Sequence, residues 1–142
     1  MSGTKLENDP VSIRNNSKKL PRIELRMLSF NLSERIVIAD LLTEAGFSIS
    51  NESAANLERF EQRVTDDDWG FIFIDARIEF ESVSSITALA RKHAGDVPLF
   101  AVIDDDQNNQ AELMELGIAD MFPPDDMQRM VGSLTRELFS QQ

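Results

Sequence analysis

Four consecutive bulky apolar residues, Phe71-Ile72-Phe73-Ile74, stand between Gly70 and the carboxylate of Asp75. A strand with one wet face alternates apolar and polar residues, so a run without alternation suits a strand covered on both faces. Such a strand needs layers above and below it, and helices are the usual cover. Val97 to Ile103 is a second continuous apolar run. Ile23, Leu25, Met27 and Leu28 read as a strand with one largely buried face. Phe47 to Ser50 and Ile118 to Phe122 read as shorter strands.

Helical spacing fills the gaps between these strands. Asn31-Leu32-Ser33-Glu34 has the form of a capping box, with Asn31 as N-cap and Glu34 as its reciprocal partner. It predicts a helix carrying Ile36, Val37, Ala39, Leu41 and Leu42 that stops at Gly46. Leu57, Phe60 and Val64 recur at i, i+3 and i+7 up to Asp66-Asp67-Asp68, read as a solvated turn. Val83, Ile86, Leu89 and Ala90 repeat the spacing up to Gly95, and Leu113, Met114 and Leu116 up to Gly117. After the break at Pro123-Pro124, Asp125 is placed to cap a last helix, with Gln128 as its partner and Met127, Met130, Val131, Leu134 and Leu138 inward.

The pattern is β-α repeated five times. Strands linked through helices pair in parallel by right-handed crossovers. The expected class is α/β: a (βα)5 doubly wound, five-stranded parallel sheet of flavodoxin-like form. Ligands and chemistry in such sheets gather at the carboxyl ends of the strands. Here those ends are residues 28–31, 75–79, 103–106 and 122–124.

With 142 residues and 42% apolar composition, one domain with a real core is expected, over residues 22–142. Residues 1–21 mix Ser, Asn, Lys and Pro without a period and read as a disordered basic tail or linker. The chain has no Cys, which excludes a disulfide scaffold, thiolate metal sites and a cysteine nucleophile. No apolar stretch reaches the ~20 residues that span a bilayer, and no leader pattern opens the chain, so a cytoplasmic protein is expected. The net charge is −11. Lys5, Arg14, Lys18, Lys19 and Arg22 against Glu7 and Asp9 make residues 1–22 basic by +3, leaving −14 on the rest. So acidic a body repels phosphate backbones, which speaks against nucleic-acid binding by the globular part.

Several residues that invite chemistry have plainer readings. Asp104-Asp105-Asp106 cannot all face one ion from a turn, and the run sits where the fourth helix needs an N-cap and favours negative charge. His93 is the only histidine, so no histidine pair exists in one chain, and its place near a helix C-terminus suits the helix dipole. Trp69 is expected to pack at the start of the third strand.

The order of these elements, with an Asp directly after the third strand, resembles the receiver domains of two-component response regulators (CheY-like) over residues 22–139. Phe71 to Asp75 is similar to the family's apolar strand ending in its phospho-accepting Asp. Leu41 to Phe47 is similar to its first helix and second strand, Val97 to Val102 to its fourth strand, and Gly117 to Phe122 to the turn into its fifth. The departures decide the function. The acidic pair that holds Mg²⁺ in the family falls on Ser29 and Phe30. The hydroxyl residue ending strand four falls on Ile103, the lysine after strand five on Pro123 or Pro124, and the aromatic switch residue on Met121.

Phosphoryl transfer to a carboxylate gathers negative oxygens around another negative group, and positioned cations do most of the work. Asp75 beside Ser29 and Phe30 is a poor Mg²⁺ site, and Phe30 is placed to cover it. Arg77 is the only nearby cation, available to pair with Asp75 and keep its carboxylate unreactive. The resemblance therefore implies a pseudo-receiver: not an enzyme, binding Mg²⁺ weakly or not at all and needing no cofactor, that signals through a protein partner or a fused effector. The alternative is a phosphorylatable receiver with Asp75 as acceptor, part of a phosphorelay. A flavodoxin-like small-molecule binder ranks last, because residues 29–33 contain no glycine to let amides wrap a phosphate. Met114, Met121, Met127 and Met130 cluster on the last helix-strand-helix face. Most are expected in the core, yet in the family that face carries dimer and output contacts, so it is the candidate interface.

Overall fold

A computed structural model describes residues 23–139; the expected tail, 1–21, lies outside the described residues. Five strands and five helices alternate: β1 (Ile23–Phe30), α1 (Arg35–Glu44), β2 (Phe47–Ala54), α2 (Leu57–Asp66), β3 (Phe71–Asp75), α3 (Phe80–Ala94), β4 (Leu99–Val102), α4 (Gln110–Glu115), β5 (Asp120–Phe122) and α5 (Met127–Phe139). The sheet is wholly parallel with the order β2-β1-β3-β4-β5. This is the expected α/β class, and the order reverses between β1 and β3, where such sheets open a crevice.

The apolar run of β3 explains the layering. Phe71 and Phe73 point to one face and join Phe100 of β4 and Phe122 of β5 in an aromatic cluster with centroids 5.8 to 6.4 Å apart. Ile38 and Leu42 of α1, and Met127, Met130 and Leu134 of α5, cover that face. Ile72 and Ile74 point the other way, under Phe60 and Val64 of α2, Val83, Ile86 and Ala90 of α3, and Leu113 of α4. Each bulky side chain so buried contributes about 1.5–3 kcal/mol. Gly70 is required just before β3: its amide donates to the Arg26 carbonyl at 2.8 Å, and a Cβ there would lie 3.2 to 3.3 Å from Leu25 and Arg26.

Four local expectations need correction. The capping box at α1 does not form. Asn31 takes a positive φ of 50° and donates its amide to the Ala54 carbonyl, while the helix begins at Arg35 with no side-chain cap at Glu34. Nor do Asp104 to Asp106 cap the fourth helix, since α4 starts only at Gln110 and Asn109 stands at its N-cap. Asp125 lies in a 3-10 turn over Pro124–Asp126 instead of capping α5. Finally, β2 extends to Ala54 rather than Ser50, because all eight of its residues pair with β1.

Outside the carboxyl-end loops, ion pairs brace the amino end. Arg26 bridges Glu52 and Asp67, each at 2.8 Å, and lies 4.8 Å over the Trp69 ring. Asp67 is therefore a partner and not merely part of a solvated turn. Trp69 packs at the start of β3 as expected and donates its indole N–H to the Arg63 carbonyl at 3.0 Å. His93 sits in the last turn of α3, 3.4 Å from Glu61 of α2.

Candidate functional site

Asp75 ends β3 at the crevice beside the carboxyl end of β1. Phe71 and Phe73 face α1 and α5, so the alternation of the strand turns Asp75 to that same face. Its side chain is only 15% exposed. One carboxylate oxygen, Oδ1, accepts from the Arg77 amide at 3.0 Å and from Arg77 Nε at 2.8 Å. The rest of the guanidinium turns to Glu34, where Nη2 donates to Oε1 at 2.8 Å and Nη1 to Oε2 at 3.0 Å. Arg77 thus lies between two carboxylates, one at the end of β3 and one at the start of α1.

Electrostatics follow that geometry. The Arg77 hydrogen bond, with burial opposing it, holds the Glu34 carboxyl below the ordinary glutamate range. Hydrogen bonds to Glu34 and then Asp75 hold the Arg77 guanidinium above its ordinary range, so it stays charged throughout. Charge-assisted, bidentate bonds of this sort are the strong class.

The positions expected at the site fall as follows. Ser29 is fully buried, and its hydroxyl reaches only the Glu52 carbonyl, at 3.5 Å. Phe30 is buried against Phe60 on the opposite face of the sheet, with centroids 5.7 Å apart, so it does not cover Asp75. Ile103 is buried in the α2–α3 core. Pro123 and Pro124 lead from β5 into the 3-10 turn. None of these five residues brings an acidic, hydroxyl or ammonium group to Asp75. Among the described residues no group of three or more His, Asp or Glu converges on one point. The Arg77 guanidinium, bonded to Asp75 and to both Glu34 oxygens, already places a fixed cation between the two carboxylates.

Two elements of the site were not foreseen from the sequence. Glu34 read as a local cap, yet its carboxylate serves Arg77. Gln107 ties the β4–α4 loop to the β3 end, its amide nitrogen donating to the Ala76 carbonyl at 2.7 Å and to Asn109 Oδ1 at 2.9 Å, while its Oε1 accepts from the Asp104 amide at 2.9 Å. The pattern Gln-x-Asn after an acidic run was the only signal for it.

Of the candidate interface residues, Met121, Met127 and Met130 are buried and Met114 alone is exposed, at 57%. The β5–α5 seam beside them is braced. Ser133 donates to Asp120 at 2.6 Å, and Arg129 bonds the Met121 carbonyl at 3.0 Å while lying 4.7 Å over the Phe122 ring.

No protein-family model matches the sequence, and no curated protein matches it. Solved structures match in fold. A receiver domain of a sensor histidine kinase from Pseudomonas aeruginosa PAO1, with a magnesium ion coordinated in its active site cleft, superposes at TM-score 0.63 with 18% identity, covering 84% of this chain and 99% of that one. A CheY-like response regulator receiver domain protein from Methanospirillum hungatei JF-1 gives 0.65 with 9% identity, over 85% and 97%. A protein described as pilus assembly-related, from Burkholderia pseudomallei K96243, gives 0.66 with 18% identity, over 88% and 96%. The chain therefore has the CheY-like receiver fold. Among the described residues no helix is long and apolar enough to cross a membrane.

Proposed function

We propose that this chain is a pseudo-receiver: a signal-transduction module of the cytoplasm that binds a protein partner, or serves a fused effector domain, without a phosphorylation switch. It acts as a binding module and not as an enzyme. One observation carries this reading: Arg77 occupies the space between Asp75 and Glu34, on the face where a working receiver would gather a divalent cation beside its acceptor Asp. A fixed guanidinium neutralises the carboxylates permanently, so no cation needs to be recruited and no phosphoryl group is invited. Mg²⁺ binding is accordingly weak or absent, and no cofactor is used.

The fixed state extends beyond the acceptor. Gln107 holds the β4–α4 loop to the β3 end, and Arg129, Asp120 and Ser133 hold α5 to β5. A loop and a seam held by such bonds favour one conformation, which suits a constant docking platform. Met114 on the short α4 is an exposed apolar residue beside the β5–α5 seam and the first contact assigned to a protein partner.

The test is direct. The protein is incubated with Mg²⁺ and acetyl phosphate, or with beryllofluoride, and followed by intact mass and amide NMR shifts. Unchanged mass and shifts are expected. Stoichiometric modification, or large shifts around Asp75, would establish the other reading, a phosphorylatable receiver with Asp75 as acceptor.

A further inference from the structure

Among the described residues the sheet has one long edge strand. There β2 ends the strand order and its ladder runs along β1 over eight residues, whereas the opposite edge strand, β5, has three. Edge strands present unpaired main-chain N–H and C=O groups, and proteins shield them by shortness, Lys, Pro or a bulge. β5 is short. β2 reads Phe-Ser-Ile-Ser-Asn-Glu-Ser-Ala, without Lys or Pro, and its register with β1 runs unbroken from Ile23–Phe47 to Phe30–Ala54.

The direction of its polar groups is fixed by the ladder. The Ala54 carbonyl accepts from Asn31 on the β1 side. Backbone groups alternate sides along a strand, so Ile49, Asn51 and Ser53 turn their amides and carbonyls away from the sheet.

Charge selects the occupant. The chain carries −11 overall, so most of its surface repels a second copy. The β2 edge does not. Its one charge, Glu52, is neutralised by Arg26 and Arg63, both at 2.8 Å. Ser48, Ser50, Asn51 and Ser53 are exposed and neutral. A charged peptide finds no counter-charge on this row, and a second copy needs none.

We propose that β2 pairs antiparallel with β2 of a second copy about a two-fold axis at Asn51, joining the two sheets into one. Asn51 then faces its counterpart, Ile49 faces Ser53, and Ser50 faces Glu52, so no like charges are opposed. Three hydrogen-bonded residue pairs give about six main-chain bonds. Centring the pair on Glu52 instead would set two carboxylates against each other, which selects the Asn51 register.

The test uses the full chain in sedimentation equilibrium across a concentration series, with hydrogen exchange followed at single amides. The expected result is a reversible equilibrium reaching twice the chain mass, with exchange at Ile49, Asn51 and Ser53 slowing as concentration rises. Asn51→Lys places two ammonium groups across the axis, and Asn51→Pro removes an outward amide while leaving the β1 ladder intact. Each is expected to weaken the dimer at least ~tenfold with the circular dichroism spectrum unchanged. A wild-type chain that stays at one chain mass with fast exchange at these amides overturns the proposal. So does a dimer that both folded variants leave unchanged, since another face would then hold it.

Discussion

Arg77 grips Glu34 through both carboxylate oxygens, at 2.8 and 3.0 Å, across 43 positions of sequence. The pair fastens the start of α1 to the turn after β3, and its remaining nitrogen, Nε, holds Asp75 at 2.8 Å. Only a planar fork makes all these bonds at once, so neither Lys nor Gln can replace it.

Arg77→Ala leaves two carboxylates, 15% and 20% exposed, with no cation between them. The half-buried pairs lose about 1–3 kcal/mol, more than an exposed ion pair and less than a fully buried one. Urea unfolding measures the loss. The same vacancy attracts divalent cations, so millimolar Mg²⁺ is expected to raise the melting temperature of Arg77→Ala and leave that of the wild type unchanged. A wild-type response to Mg²⁺ equal to the variant's would remove Arg77 from its assigned role.

Glu34 makes the fork sensitive to acid. Its carboxyl is held below the ordinary range in the folded chain and returns to that range on unfolding, so ionised Glu34 favours the fold. This contribution is complete above the ordinary glutamate value and disappears as pH falls through the lowered one. Glu34→Gln is expected to cost about 1 kcal/mol at neutral pH. The gap between variant and wild type should narrow as pH is taken from neutral into acid, through the lowered value of Glu34. Denaturant titrations at neutral and acid pH check both statements, and a gap that persists in acid would show that the carboxylate charge is not responsible.

The difference between what the sequence displayed and what it hid lies in range. The run Phe71 to Ile74 announces a two-sided strand because burial is a property of each residue and its neighbours, and the layered sheet follows. Asn31 and Glu34 display a cap because capping is also local, but a guanidinium 43 positions away competes for the same carboxylate and wins. Ser50-Asn51-Glu52-Ser53 resembles a turn in composition because an edge strand has little to bury, so the full length of β2 was hidden. Asp104 to Asp106 look like a cap for the same local reason, while the side chain that organises that loop is the uncharged Gln107. The positions of Ser29, Phe30 and Ile103 were legible, being set by strand order. The direction of Phe30 was not, because it depends on which face of β1 meets α2.

Gln107→Ala tests whether the β4–α4 loop is held as described. The substitution removes the donor to the Ala76 carbonyl and the acceptor of the Asp104 amide. A stability loss of about 1–2 kcal/mol is expected, since both partners lie next to buried strand ends. Hydrogen exchange at the Asp104 amide should quicken well before global unfolding, the mark of a local opening. Exchange at wild-type rates would mean that the loop is held by other bonds.

At the opposite end of the sheet, Arg91 gathers three carbonyls, accepting none and donating to Gly95 at 2.7 Å, Val97 at 2.8 Å and Gly117 at 3.2 Å. These close the last turn of α3, the start of the β4 connection and the turn into β5, so one side chain joins three segments. Arg91→Ala is expected to lower stability by about 2 kcal/mol, because carbonyls at the C-terminus of α3 lose a charged donor. Arg91→Lys should recover less than half of that, since an ammonium group cannot span the three oxygens. Gly117 adds a backbone requirement, with φ of 102°, while a Cβ there would stand in ordinary contact with Arg91, 3.4 Å from Nε. Gly117→Ala therefore strains the backbone without displacing the guanidinium. The cost is expected to be about 1 kcal/mol, by urea unfolding, and the same in the wild type as in the background of Arg91→Ala. A cost that falls clearly when Arg91 is removed would show that the methyl group presses on the guanidinium after all.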